Sequence, residues 1–281
     1  MEASVNCRFG STHSCLDAPI TAGLHPVVVI SHGFTGTFTD YTFLAEDLAS
    51  RGYVVASVNH THEATAVAFP DGRLEKSVFG SHLTQFVRSD AGALGFAVAV
   101  RLDDLKFVLK ELERLNATDR QFVSRLDLDH IALAGHSLGG LTTLRALPNE
   151  PRFRVGVLLD GLMLPHIDES VQQPVLTLVA GRDRWNEDDC TLWNALRGPR
   201  LAVSLPGAEH MALSDAAWLL KGLQTGGAGP DAMIAAIRGY VAAFLDVNLR
   251  GRAPPSTLTS SALGVPNALV ADTSESLCAA R

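Results

Sequence analysis

Ser137 stands between two glycines at matched distances, in Gly135-His136-Ser137-Leu138-Gly139 of "ALAGHSLGGLTT" (133–144). A strand-like run, "HIALA", leads into it and an apolar helical pattern follows. In a sharp strand-to-helix turn the residues two before and two after the serine come too close to neighbouring chain to carry side chains, so glycine suits both places. Such a turn exposes the serine hydroxyl as a nucleophile and aims the next amide, that of Leu138, at a developing oxyanion. The plainer reading is a packing corner that tolerates glycine. A nucleophile, unlike a corner, also needs a base and an orienting acid.

Among ten histidines, His210 in "LPGAEHMALSD" is the strongest base. It follows the strand candidate "RLAVSL", where catalytic groups gather beyond strand carboxyl ends, and it comes after Ser137 in chain order. His166, in "LPHID", is a weaker second. Two aspartates satisfy the acid: Asp160 ends "RVGVLLD", and Asp183 follows "PVLTLVAG" in "GRDRW". Both follow strands on the same edge of the expected sheet, and spacing leaves them level. His60 and His62 have the look of a metal pair, but no carboxylate cluster accompanies them, so no metal is expected. His136 reads as a packing residue.

The elements that must position these groups alternate along the chain. Strands are expected at 25–31, 53–59, 130–135, 154–160, 174–180 and 200–205, each nearly continuous in apolar residues, as in a parallel sheet buried on both faces. Helices are expected at 41–51, 97–115, 137–147, 190–197 and 231–249. Within 97–115, Val98, Leu102, Leu105, Val108 and Leu112 recur at three- and four-residue steps and make one apolar face. Strand–helix alternation with right-handed crossovers implies a mostly parallel, doubly wound α/β sheet with helices on both faces. Residues 1–252 read as one domain. Residues 63–96 form a long loop insertion of the kind that serves as a lid or substrate loop, and its Phe69, Phe79, Phe86 and Phe96 either line an acyl pocket or fill core. Residues 253–281, rich in Pro, Ser, Thr and Ala, read as an irregular or mobile tail.

Composition narrows the function classes. With 47% hydrophobic and 19% charged residues the chain can bury a substantial core. A net charge of −7 without any basic run argues against nucleic acid as a partner. No stretch reads as an 18-residue apolar span, so a transmembrane helix is not expected. "AAWLLKGL" (216–223) reads as a packed amphipathic helix or as a transient lipid-surface contact. The first residues carry neither a basic head nor an apolar run, so the chain as it stands reads as cytoplasmic, although a mature secreted form with a new initiator methionine would look the same. Cys7, Cys15, Cys190 and Cys278 have no metal or redox spacing and are expected to be free thiols.

Four stretches together resemble the platelet-activating-factor acetylhydrolase family, the plasma and type II lipases of α/β-hydrolase fold. They are "PVVVISHGFTGTFTDYTFLAEDLASRGYVVASVNH", "IALAGHSLGGLTT", "PRFRVGVLLDGLMLP" and "PGAEHMALSD", in family order from about residue 24 to 215. The resemblance implies that the acid is Asp160, in a turn following the strand after the elbow. It also implies an oxyanion hole in which the amide of Phe34, in "SHGF", joins that of Leu138. The chemistry so implied is ester hydrolysis through an acyl-enzyme without a cofactor, with a short-chain ester such as a phospholipid acetyl group as first substrate. Two other readings stand beside it: a hydrolase of a small metabolite, lactone, thioester or polyester, and a non-catalytic binding protein on the same fold.

Overall fold

Apolar runs rich in valine and leucine build the middle of the molecule. In this computed structural model, which describes residues 12–79, 91–161, 170–182, 184–220, 222–258, 265 and 268–272, nine strands form. They are β1 (His25–Ser31), β2 (Val54–Val58), β3 (Ala66–Ala68), β4 (Leu74–Lys76), β5 (Leu126–His136), β6 (Phe153–Leu159), β7 (Val175–Ala180), β8 (Arg200–Leu205) and β9 (Leu269–Asp272). Seven of them make one sheet in the order β2-β1-β5-β6-β7-β8-β9. All neighbours are parallel except β8 and β9.

Chain order reverses at β1, which has β2 on one side and β5 on the other. Sheets of this kind open a crevice beyond the carboxyl ends at such a switch point. The register aligns those ends, with Ser31 opposite Gly135 and His136 opposite Leu159. Phe34, Ser137 and Asp160 therefore all emerge at one edge of the sheet.

Successive residues of a strand face opposite ways, so β1 feeds two cores. Val28 and Ile30 pack with α1 (Thr42–Ser50) and with Ile234, Ile237, Val241 and Leu245 of the helix Pro230–Arg250. Val27 and Val29 pack on the other face with Leu105 and Leu109 of α2 (Ala91–Thr118), Leu144 and Leu147 of α3 (Leu138–Asn149) and Leu192 of α4 (Glu187–Ala195). The helix Ala216–Leu219 is α5 and Pro230–Arg250 is α6.

Four expectations change. The segment 253–281 is not irregular throughout: Leu269–Asp272 pairs antiparallel with β8 and covers an otherwise open sheet edge. So short a strand leaves no readable period. The loop 63–96 contains the hairpin β3–β4, and α2 begins at Ala91, so Phe96 belongs to a helix. By length and composition alone helix α6 is apolar enough to cross a membrane, so the expected lack of any 18-residue apolar span does not hold. Its apolar residues, Met233 to Leu249, are however largely buried against the sheet. Lastly, Cys15 and Cys190 are disulfide-bonded rather than free. Spacing along a chain of this size says nothing about which sulfurs meet in space.

Candidate active site

Ser137 is the hinge between β5 and α3, with backbone angles φ 54° and ψ −115°. Positive φ is costly for a residue with a side chain and persists where surrounding structure enforces it. Here the Ser137 amide is held by the Leu159 carbonyl at 3.0 Å, and the Ser137 carbonyl accepts the Leu141 amide at 3.1 Å. The two glycines provide clearance. A β-carbon on Gly135 would lie 2.1 Å from the Gly139 carbonyl oxygen, and one on Gly139 would lie 2.1 Å from that of Ser31. Leu138 and Leu141, the first turn of α3, pack against Leu94, Ala97 and Val98 of α2.

Asp160 follows β6, also at positive φ (44°). Its amide donates to the Leu178 carbonyl at 2.7 Å, and its Oδ1 accepts the Ala180 amide at 3.0 Å. The other oxygen, Oδ2, lies 2.5 Å from Nδ1 of His210. A carboxylate only accepts, so Nδ1 carries the proton and Nε2 is the free basic nitrogen. His210 opens a 3-10 turn, His210–Leu213, on the loop after β8. That loop is tied down by the Glu209 amide to the Gln224 carbonyl, at 2.9 Å, and by Asp215, whose carboxylate accepts the amides of Thr42 and Phe43 at the start of α1.

His136 joins the two halves. It precedes Ser137, its ring lies 4.4 Å from that of His210, and its Nε2 donates to the His210 carbonyl at 3.0 Å. Burial first, then the nearby His210, lowers the His136 pKa to about 4, so the ring stays neutral at pH 7. In sequence His136 reads as a packing residue; its contact with His210 joins positions 74 residues apart and leaves no local signal. Ser137 Oγ makes no hydrogen bond to His210 among the described residues, a contact that commonly tightens only with substrate present.

Beyond β1, "SHGF" turns under the elbow. A β-carbon on Gly33 would sit 3.5 Å from Cβ of Ser137. The Phe34 amide meets no acceptor among the described residues. Leu138, as the first helical residue, has no intrahelical carbonyl for its own amide. Two amides without an acceptor among the described residues thus flank this turn and the elbow, the kind of donor an anion-stabilising site uses.

A buried polar cluster lies beneath this turn. Arg101 of α2 is 0% exposed, and its guanidinium engages both carboxylate oxygens of Glu63, the Ser31 hydroxyl and the carbonyls of His32 and Gly33. His60 bridges Ser31 Oγ and Asp104 Oδ2, each at 2.8 Å. Burial, then Arg101, holds His60 well below the usual histidine range and His32 at about 2. His60 is therefore committed to this network, while His62 is exposed. Arg101 was missed in sequence, yet it sits three residues after Val98 and four before Leu105, a charge on the apolar face of a helix.

The four phenylalanines disperse. Phe79 packs against Phe34, ring centroids 5.4 Å apart, and so borders the site. Phe69 pairs with the Arg73 guanidinium on the hairpin, and Phe96 is 66% exposed on α2, so neither lines a pocket at the serine. Phe86, Asp183 and His166 lie outside the described residues. A groove of about 740 Å³ is lined by Met211, the residue after His210, with Phe43, Trp218, Leu219 and Leu220 and the acidic Asp40, Glu46 and Asp215; Ser137, Asp160 and His210 are not among its lining residues. Among the described residues no cluster of metal-ligating side chains occurs.

The chain is similar to several known esterases. The model of the family described as platelet-activating factor acetylhydrolase, isoform II, matches residues 10–77 and 108–234. A platelet-activating factor acetylhydrolase of Canis lupus familiaris is 29% identical over 233 residues, 74% of this chain and 52% of its own. Cutinase est2 of Thermobifida alba is 26% identical, over 66% of this chain and 52% of its own. A solved ferulic acid esterase from Streptomyces cinnamoneus superposes with a TM-score of 0.75 at 33% identity, covering 90% of this chain and 75% of that one. The chain spans about half the length of the curated platelet-activating factor acetylhydrolases it matches.

Proposed function

The chain belongs to the platelet-activating factor acetylhydrolase isoform II family, and from that premise we propose that it is a serine carboxylic-ester hydrolase. The observation that carries the proposal is the His210 imidazole, hydrogen-bonded to Asp160 at 2.5 Å and in ring contact with His136, the residue that precedes the strained Ser137.

In this reading Ser137 attacks the ester carbonyl while Nε2 of His210 takes its proton. Asp160 keeps Nδ1 protonated and stabilises the imidazolium that forms. The amides of Phe34 and Leu138 receive the oxyanion. His210 then protonates the departing alcohol, leaving an acyl-serine, and water enters by the same route in reverse. Asp160 is supported over Asp183 by its hydrogen bond to His210. Leu138 and Phe34 are supported as donors because their main-chain amides meet no acceptor among the described residues.

The substrate is a short-chain acyl ester, in the first place an acetyl ester on a lipid; the reading is supported by the name the family relatives carry and by a groove whose apolar lining, Phe43, Trp218, Leu219 and Leu220, includes Met211, the residue after His210. A second reading is supported by the ferulic acid esterase and cutinase relatives: an ester of an aromatic acid or of a polyester. The disulfide-bonded cysteines support work in an oxidising compartment. A p-nitrophenyl ester series from acetyl to long acyl, run beside an acetylated phospholipid and a feruloyl ester, tests this. Highest kcat/KM on the acetyl esters is expected. A preference for feruloyl or long-chain esters would move the assignment to the second reading.

A further inference from the structure

The guanidinium of Arg101 grips two successive main-chain carbonyls, those of His32 (2.6 Å) and Gly33 (3.3 Å). These belong to the turn that carries Phe34. Two more donors converge on the Gly33 oxygen: His32 Nδ1 at 2.6 Å and the Gly36 amide at 3.0 Å. The His60 amide donates to His32 Nε2 at 3.1 Å, which fixes the tautomer with the proton on Nδ1.

Peptide planarity gives this grip a consequence. No cis peptide occurs among the described residues, and in a trans peptide the carbonyl and the following N–H point in opposite directions. A Gly33 carbonyl held toward Arg101 therefore forces the Phe34 N–H to face away from it. The serine lies close to this turn: a Gly33 β-carbon would sit 3.0 Å from His136 Nδ1 and 3.5 Å from Ser137 Cβ. The remaining hydrogen bonds hold the guanidinium itself. Nε donates to Glu63 Oε2 at 2.8 Å, Nη2 to the other Glu63 oxygen, and Nη1 to Ser31 Oγ at 3.1 Å. Ser31 in turn is locked by His60, and His60 by Asp104.

We propose that Arg101, braced by Glu63, is a positioning residue for the oxyanion hole: it aims the Phe34 amide by holding the carbonyl of the same peptide plane. Arg101 does not touch substrate. Its planar fork spans acceptors that a lysine ammonium cannot span together. The inference rests on the esterase reading and extends it.

The test compares p-nitrophenyl acetate with its thiono counterpart, whose C=S sulfur accepts amide hydrogen bonds poorly. An aligned oxyanion hole favours the oxygen ester strongly, and a misaligned one loses that preference. Arg101→Lys keeps a cation opposite Glu63; it is expected to lower kcat on the oxygen ester by roughly 10- to 100-fold, somewhat less than outright loss of a donor. KM and the rate on the thionoester should change far less, so the oxo/thiono ratio falls. Glu63→Gln, which preserves shape, is expected to shift the ratio in the same direction by a smaller factor, and it decides the matter if Arg101→Lys does not fold. Folded variants that lose both rates in proportion, or that keep wild-type kcat, would overturn the clamp and leave the esterase reading intact. A wild type inert to both esters and to fluorophosphonate would contradict the esterase reading, and the clamp with it.

Discussion

Asp160 and His210 are fifty residues apart in sequence and share a 2.5 Å hydrogen bond, Oδ2 to Nδ1. The second carboxylate oxygen is taken by the Ala180 amide, so the acid cannot rotate away without losing two partners. This arrangement keeps the base nitrogen of His210 free on the side away from Asp160.

Asp160→Asn presents an amide to Nδ1 and favours the wrong tautomer, so kcat should fall by about four orders of magnitude with the fold retained. Asp183→Asn is expected to stay within about tenfold of wild type, on the scale by which a triad acid is distinguished from a bystander. Steady-state kinetics on p-nitrophenyl acetate decides between them. The reverse ranking would assign the acid to Asp183.

Gly139→Ala drives a β-carbon to 2.1 Å from the Ser31 carbonyl, which no flexible side chain can relieve. The thermal midpoint should drop by an amount corresponding to about 3 kcal/mol or more, at the upper end of overpacking effects. Gly95→Ala is the control: it lies in α2 with nothing within 4 Å of the new carbon. That change should stabilise by about 0.5–1 kcal/mol. Equal effects of the two substitutions would contradict the clearance account.

Acid should destabilise the protein well above the carboxylate range. His136 is depressed to about 4 by burial, against an ordinary value of 6.5, and His32 and His60 are depressed too. Between those values the unfolded chain binds protons that the folded one does not, so stability is full above pH 6.5 and falls as pH drops toward 4. The His136 share is about 3 kcal/mol, at about 1.4 kcal/mol per pH unit. Thermal melts from pH 7.5 to 4.5 should slope downward, less steeply in His136→Gln. A flat profile would contradict the assignment of these histidines as buried and neutral.

Cys15 and Cys190 should resist maleimide in denatured protein kept free of reductant and react after reduction. Peptide mapping by mass spectrometry reads both states. Labelling of either residue before reduction would contradict the disulfides and remove the support for an oxidising compartment.

Much of the site could be read from sequence because its constraints are local. The Gly135 and Gly139 spacing records a backbone approach, and the run "HIALAG" records a strand buried on both faces. The acid could not be read this way: Asp160 and Asp183 both follow strands, and the reach of a loop is not written in its length. Resemblance favoured Asp160, the aspartate that hydrogen-bonds His210. Leu269–Asp272 escaped notice because an edge strand of four residues gets its stability from β8, not from its own pattern. Arg101 was readable in part, since a lone charge on the stripe of Val98 and Leu105 must find buried partners. Which carbonyls it would hold depended on a turn almost seventy residues earlier.

The most direct test of the central claim is covalent labelling by a fluorophosphonate, which reacts with a serine activated by its histidine. Wild-type protein should take up one equivalent at Ser137 and lose esterase activity in step, while Ser137→Ala takes up none and His210→Ala labels orders of magnitude more slowly. A wild type that stays unlabelled, or label found on another residue, would contradict the account.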